Sequence, residues 1–249
     1  FDQADIYGDY EAEKILGNAL SKNVSLRNEI EIITKCDIIA PCGKYKHETV
    51  KYYDTSRSHL IKSVESSLKN LGVDSIDLLL LHRPDPLMNV DETGEVLDQL
   101  ISSGKIKGAG ASNFRPWDWN LLQSRMHNKL LSNQIEFSLM HHEPLTNGDL
   151  SFHYTEKTPI MAWSPLAGGK LIQASTRLTE ALRNTAEKKN TDITTIAIAW
   201  ILSCPMEILP ILGTNNLKRI AKISDSMNVH LDRRTWYELY SAALGHDIP

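Results

Sequence analysis

Asp2, Tyr7, Lys35 and His82 bring a carboxylate, a phenol, an ammonium and an imidazole into the first third of the chain. A phenol near its ordinary pKa of about 10 is a poor acid at neutral pH. An ammonium beside it favours the phenolate and so makes the phenol a better proton donor. A carboxylate next to the ammonium keeps that cation charged and in place, and an imidazole can hydrogen-bond a carbonyl oxygen and orient it. Such a set could deliver a proton to a developing alkoxide, which is half of what carbonyl reduction requires. Each residue also has a plainer reading. Asp2 reads equally as a turn cap, Lys35 as a solvated charge, and His82, beside Arg83 and Pro84, as a satisfied structural histidine. Tyr10 follows Tyr7 by three residues and is a competing phenol, but Tyr7 is the one five beyond Asp2.

The elements that must position these groups follow from periodicity. Residues 11–20 carry Ile15, Leu16, Ala19 and Leu20 at helical spacing, and 29–35 alternate with β-branched residues as a strand does. Residues 36–53 read as a long polar loop without periodicity. Leu60, Ile61, Val64, Leu68 and Leu71 predict an amphipathic helix over 54–71, and the apolar run 76–82 predicts a strand buried on both faces. Helix over 92–102, strand over 105–111, helix over 116–126 and strand over 129–137 come next. After a segment with weak helical signals, 159–163 reads as strand, 178–189 and 194–202 as helices, 207–212 as strand, and 216–227 and 233–244 as helices.

Strand and helix alternate with connections short enough for parallel crossovers, which gives an α/β class with a parallel sheet and one domain over 1–249. Counting Phe1-Asp2 as a strand end gives seven strands, so an eight-stranded (β/α)8 TIM barrel would lack its first strand and helix in this chain. An open doubly wound sheet is the alternative. The polar residues favour the barrel, because they gather at successive strand ends: Asp2 and Tyr7, Lys35, His82, Ser112-Asn113, Gln134, Trp163-Ser164 and Gly213-Thr214. Function in a parallel barrel sits at that end of its strands.

The net charge of −4 carries no electrostatic footprint for nucleic acid or an anionic membrane surface. No apolar run reaches the length of a membrane span and no signal-peptide pattern opens the sequence. Cys36, Cys42 and Cys204 fit neither a disulfide framework nor a zinc spacing, so reduced thiols in a cytoplasmic protein are expected. No metal is expected either: His141-His142-Glu143 lacks the spacing of a helical zinc motif. Gly168-Gly169-Lys170 runs into Leu171 and is no P-loop, and Asn113 stands where a dinucleotide fingerprint opened by Gly108 and Gly110 would need its third glycine. The sequence carries no signal for oligomeric state.

Several motifs in series resemble the aldo-keto reductase superfamily. F-D-x-A-D-x-Y-G followed by E-x-x-x-G-x-A-L opens the chain. I-I-T-K, D-L-L-L-L-H-R-P, S-G-K-I-K-x-x-G-x-S-N-F, N-Q-I-E-F-S, A-W-S-P-L and L-P-I-L-G-T follow in the family's order. The H-R-P-D-P segment and the A-L-G-H-D-I-P end are similar to a bacterial oxidoreductase branch of the YdhF type. The resemblance implies a (β/α)8 barrel that reduces aldehydes or ketones with NADP(H), NAD(H) being the alternative cofactor. It puts Asp2, Tyr7, Lys35 and His82 at the catalytic tetrad positions, with Tyr7 the proton donor. It implies that Ser112, Asn113 and Gln134 hold the nicotinamide carboxamide and that Trp163 stacks on the ring. Ser164, Leu166 and Gly168 would line the pyrophosphate loop, with Gly213, Thr214, Asn215 and Arg219 near the adenosine phosphate. Gly213 stands where the family frequently has a lysine, and Ile223 where it often has an asparagine. A cofactor-binding regulatory or sensor barrel is the competing function, but a pure binder has no need of an acid, its cation and that cation's partner together.

Overall fold

A computed structural model describes residues 1–173 and 176–248. The chain divides into two compact units, Phe1–Asn133 and Gln134–Pro249. In the first unit, strand β1 (Ile33–Cys36) leads into a small hairpin, β2 (Ile38–Ile39) with β3 (Tyr52–Tyr53). β4 (Leu78–Leu81) and β5 (Ala109–Ser112) follow. β1, β4 and β5 lie parallel in that order, with Lys35 level with Leu80 and Leu80 level with Gly110. Ahead of them, Asp2 forms a parallel bridge with Ile33, so the opening residues run alongside β1.

That register is what brings the polar strand ends together. Residues level with one another in a parallel ladder point to the same face, and alternate residues along a strand return to it. Lys35, Leu80 and Gly110 therefore share one face, and His82 and Ser112 lie two residues further along it. Gly110 is small for a reason: a Cβ there would come within 2.5 Å of the Ser132 carbonyl oxygen and 2.7 Å of Leu80.

Helices α1 (Ala12–Ser21), α2 (Arg57–Leu71), α3 (Val90–Ser102) and α4 (Pro116–Gln123) cover the strands of this unit. α2 starts where the Ser56 hydroxyl accepts the His59 N–H and stops at Gly72, whose φ of 65° ends the helix in the left-handed region. Its buried stripe of Leu60, Val64 and Leu71 is the apolar face expected from the sequence.

In the second unit β7 (Ile160–Trp163) and β8 (Ile208–Pro210) pair in parallel, while β6 (Leu130–Glu136) runs across the division. Its helices are α5 (Asp149–Glu156), α6 (Arg177–Lys188), α7 (Ile193–Leu202), α8 (Leu217–Ile223) and α9 (Arg233–Leu244). α7 is apolar on almost every side and is the buried axis of this unit. Its Trp200 stacks on Trp236 of α9 at 4.8 Å, and each indole N–H donates to the other residue's carbonyl.

Several expected boundaries move. The strand read over 29–35 pairs only from Ile33, because the Ile32 N–H is taken by the Asp77 carboxylate instead of a ladder partner. The strand over 105–111 shortens to Ala109–Ser112, since Lys105 N–H folds back to Leu100. The segment read as featureless loop over 36–53 contains the β2–β3 hairpin. The helix over 216–227 is α8 followed by a 3-10 turn, Ser224–Asn228.

Candidate active site

The Lys35 side chain is fully buried at the end of β1, an arrangement an ammonium tolerates only when its hydrogens are satisfied. It has three N–H donors and makes three contacts: Asp2 Oδ2 at 2.8 Å, the Gln3 carbonyl at 2.8 Å and Tyr7 Oη at 3.2 Å. An ammonium can only donate, so the Tyr7 oxygen accepts and its own hydrogen is left for another acceptor. Asp2 is positioned by backbone, with the Gln3 N–H donating to Ile33 O and the Ile33 N–H to Phe1 O. Tyr7 lies at the first residue of a short turn, Tyr7–Tyr10, and is 38% exposed, open to a reactant.

His82 follows β4, and its N–H donates to the Cys36 carbonyl at 3.0 Å. Its ring meets Tyr7 edge-on, centroids 5.9 Å apart. Burial, reinforced by the charges of Lys35, Arg83 and Lys51, pushes its pKa down to about 3, so the imidazole is neutral at physiological pH. Its Nδ1 has no hydrogen-bond partner among the described residues. A neutral imidazole keeps one donor and one acceptor, and it can orient a carbonyl oxygen without becoming the acid.

The residue after Cys36 is one that periodicity did not single out. Asp37 is buried with φ of 94°, and its Oδ2 accepts the Arg83 N–H at 3.2 Å. The β1–β4 ladder stops at Cys36, and the Asp37 carboxylate supplies the next acceptor along, beside His82. Burial raises this carboxyl well above the usual range, against the pull of the Arg83 and His82 N–H groups. Burial likewise pushes up the Cys36 thiol, helped by Asp37, which argues against a reactive cysteine there. Only a pattern for positive φ could have signalled Asp37, and strand alternation carries none.

Of the expected cofactor residues, Ser112 and Asn113 join this site. Asn113, at φ of 62°, donates through Nδ2 to Ser112 Oγ at 2.8 Å and to the His82 carbonyl at 3.2 Å. In the second unit Gln134 is buried and Trp163 is half-buried at the end of β7. Ser164, Ala167, Gly168 and Gly169 all have positive φ, a tight run of backbone, with Leu166 turned onto the core of its unit. Gly213, Asn215 and Arg219 are exposed, and Thr214 Oγ1 accepts the Asn216 N–H. Asn216 caps α8 by accepting the Lys218 and Arg219 N–H groups. A buried amide and hydroxyl, a flat indole, an open stretch of small residues and an exposed guanidinium are group types that fit a nicotinamide dinucleotide. Among the described residues no group of His, Cys, Asp and Glu could hold a metal ion, and no helix is long and apolar enough to cross a membrane.

The model of the aldo/keto reductase family matches residues 1–243. The chain belongs to the aldo/keto reductase family. The enzyme is 51% identical over 248 residues to a 6-dehydroglucose reductase of Agrobacterium fabrum, covering 99% of this chain and 84% of that protein. It is 39% identical over 251 residues to the oxidoreductase YdhF of Escherichia coli, covering 100% and 84%, which bears out the branch expected from H-R-P-D-P. Among solved structures it resembles a thermostable aldo-keto reductase crystallised with the inhibitor epalrestat, at TM-score 0.83 and 24% identity over 97% of this chain and 81% of that one. An aldo/keto reductase from Klebsiella pneumoniae, crystallised with NADP and acetate, gives TM-score 0.79 at 22% identity, over 96% and 77%. The fold of this oxidoreductase is therefore the α/β barrel of the family, as its alternating elements and strand-end residues implied.

Proposed function

We propose that this reductase converts the aldehyde group of a small sugar-like molecule to a primary alcohol with NADP(H), and that Tyr7 donates the proton. The observation that carries the proposal is the Lys35 ammonium, whose hydrogens go to Asp2, Gln3 and Tyr7 and so leave the Tyr7 proton available. The sugar-like substrate is supported by the 51% identity to a 6-dehydroglucose reductase. The choice of NADP(H) is supported by the Klebsiella relative crystallised with NADP and by the group types described above.

When bound, the reduced nicotinamide supplies the hydride that the carbonyl carbon accepts. As negative charge builds on the carbonyl oxygen, the Tyr7 Oη–H bond breaks and its proton passes to that oxygen. The phenolate left behind faces the Lys35 ammonium, held in place by Asp2. His82, neutral, donates a hydrogen bond that keeps the carbonyl oxygen within reach of Tyr7. Tyr7 is exposed enough to regain its proton from solvent. Ser112, Asn113 and Gln134 would hold the carboxamide and Trp163 the ring face. Ser164, Leu166 and Gly168 would line the pyrophosphate, and Gly213, Thr214, Asn215 and Arg219 the adenosine phosphate. A guanidinium suits a 2′-phosphate because it binds it bidentately.

The test is NADPH oxidation with 6-dehydroglucose and with glyceraldehyde, comparing the native enzyme with Tyr7→Phe. Loss of about 10²-fold or more in kcat is expected, the usual worth of a positioned acid. Equal rates in the two proteins would refute the role given to Tyr7.

A further inference from the structure

Tyr10, the second phenol of the opening motif, takes no part in the mechanism above, yet it is buried where Tyr7 is exposed. Between the two lies unusual backbone. Gly8, Asp9 and Tyr10 follow one another at φ of 57°, 56° and 71°. Left-handed residues are tolerated singly by L-amino acids and rarely in succession, and Asp9 and Tyr10 carry the Cβ that makes the region unfavourable. Such a turn persists only when its surroundings over-determine it, and strain of this kind collects at functional sites.

The surroundings are the segment that leaves β1. The Tyr10 hydroxyl accepts the Ala40 N–H at 3.0 Å and donates to the Ile38 carbonyl at 3.1 Å, gripping β2 on both sides of Ile39. The Tyr10 ring meets Tyr45 edge-on at 5.2 Å, and the Lys44 ammonium lies over both rings at 4.9 and 5.1 Å. Gly43 presses against the turn itself: a Cβ on it would come within 2.1 Å of the Asp9 carbonyl oxygen and 3.0 Å of the Tyr10 ring. The same segment starts at Cys36 and Asp37, which hold the His82 and Arg83 N–H groups. One piece of chain therefore touches the turn behind Tyr7 and the backbone of His82.

We propose that Tyr10 is a positioning residue for Tyr7: its hydroxyl clamps the β2–β3 segment onto the left-handed turn and thereby holds the Tyr7 phenol on Lys35. The Tyr7 ring meets His82 edge-on and lies 4.8 Å from the Lys35 ammonium, and the direction of its Cα–Cβ bond, on which both contacts depend, is set by the turn that follows it. Releasing the clamp lets that turn relax towards ordinary φ and swings the phenol away from the ammonium and from His82. The β2–β3 segment and the acid then act as one body, and whatever displaces the segment misaligns the acid. This inference rests on the proposed role of Tyr7.

The experiment compares Tyr10→Phe, Gly43→Ala and the double variant with the native enzyme and Tyr7→Phe. Tyr10→Phe removes the two hydrogen bonds and keeps the ring; Gly43→Ala forces the segment off the turn from the other side. Both single variants are expected to lower kcat for glyceraldehyde by about tenfold or more, since small misplacements of a reacting group cost up to about 10²-fold. KM should change by less than about threefold, with NADPH affinity, read by fluorescence, unchanged. Their effects should not add in the double variant, because each breaks the same contact. Trypsin should cut faster after Lys44 and Lys46 in both single variants. A kcat within about twofold of native in Tyr10→Phe, with Tyr7→Phe inactive, would overturn the positioning role and leave the proposed function intact. Native-like activity in Tyr7→Phe would instead remove the proposed function, and unchanged trypsin cleavage would still count against the clamp. Loss of the whole fold in both single variants would also overturn it, since a clamp confined to one turn and one hairpin does not hold the entire chain.

Discussion

Lys35→Met removes the cation at the centre of the site while keeping an unbranched side chain of similar length. The ammonium is fully buried and the Asp2 side chain is 12% exposed, so the substitution takes a cation from beside a carboxylate with little water around it. Breaking a buried pair by removing one partner costs about 3–5 kcal/mol, and the remaining exposure of Asp2 favours the lower end. For a chain of this size 1 kcal/mol corresponds to roughly 2–4 °C in Tm, so a fall of about 6–12 °C is expected. Adding Asp2→Asn removes the charge that Lys35 balanced, and stability should recover by at least about 1 kcal/mol relative to the sum of the two single changes. Activity should not recover. Without the ammonium the phenolate left on Tyr7 is unsupported, and both Lys35→Met and the double variant should lose about 10²–10⁴ in kcat. Urea denaturation and steady-state kinetics on the four proteins complete the cycle. Strict additivity in stability, or a double variant that regains turnover, would refute the reading of Lys35 as a buried cation shared between Asp2 and Tyr7.

Asp5 is buried, and that burial lifts its carboxyl from 3.8 to about 7, against the opposing charge of Lys44. The folded state therefore holds a proton that the unfolded chain releases, and stability should fall as pH rises from about 4 to about 7, by roughly 4 kcal/mol at most. Asp5→Asn cannot titrate, so its stability relative to the native protein should improve across that window in urea unfolding at several pH values; a difference independent of pH would refute the assignment. Arg219→Ala should raise KM for NADPH by about tenfold or more while leaving NADH little changed, because only the former carries a 2′-phosphate for the guanidinium. An equal effect on both cofactors would place Arg219 elsewhere in binding.

The proposed site residues Lys35 and His82 were legible because each stands at the end of a strand whose pattern is plain. I-I-T-K and the run Leu78–Leu81 announce strands, and parallel strands in register carry their last residues to the same edge. Lys35, His82 and Ser112 therefore fell together once the elements were read. The helix stripes were equally open: Leu60, Val64 and Leu71 face inward as their spacing requires. Boundaries were less open, since Ile32 leaves the ladder for a side-chain acceptor 45 residues away.

Tyr7 and Tyr10 draw the line between sequence and tertiary structure. Two phenols three residues apart are chemically alike, and the spacing from Asp2 singled out Tyr7 as the expected acid without saying what Tyr10 does. Its partners, Ile38 and Ala40, lie about thirty residues away in a segment without periodicity, and they meet it only because three left-handed residues turn the chain toward them. Asp37 is the same case, a carboxyl sent to Arg83 by a positive φ. Hydrophobic pattern encodes which face of an element is buried, and through register it encodes which strand ends converge. A lone backbone torsion outside the regular regions has no period, so what it brings together is decided by the packing around it.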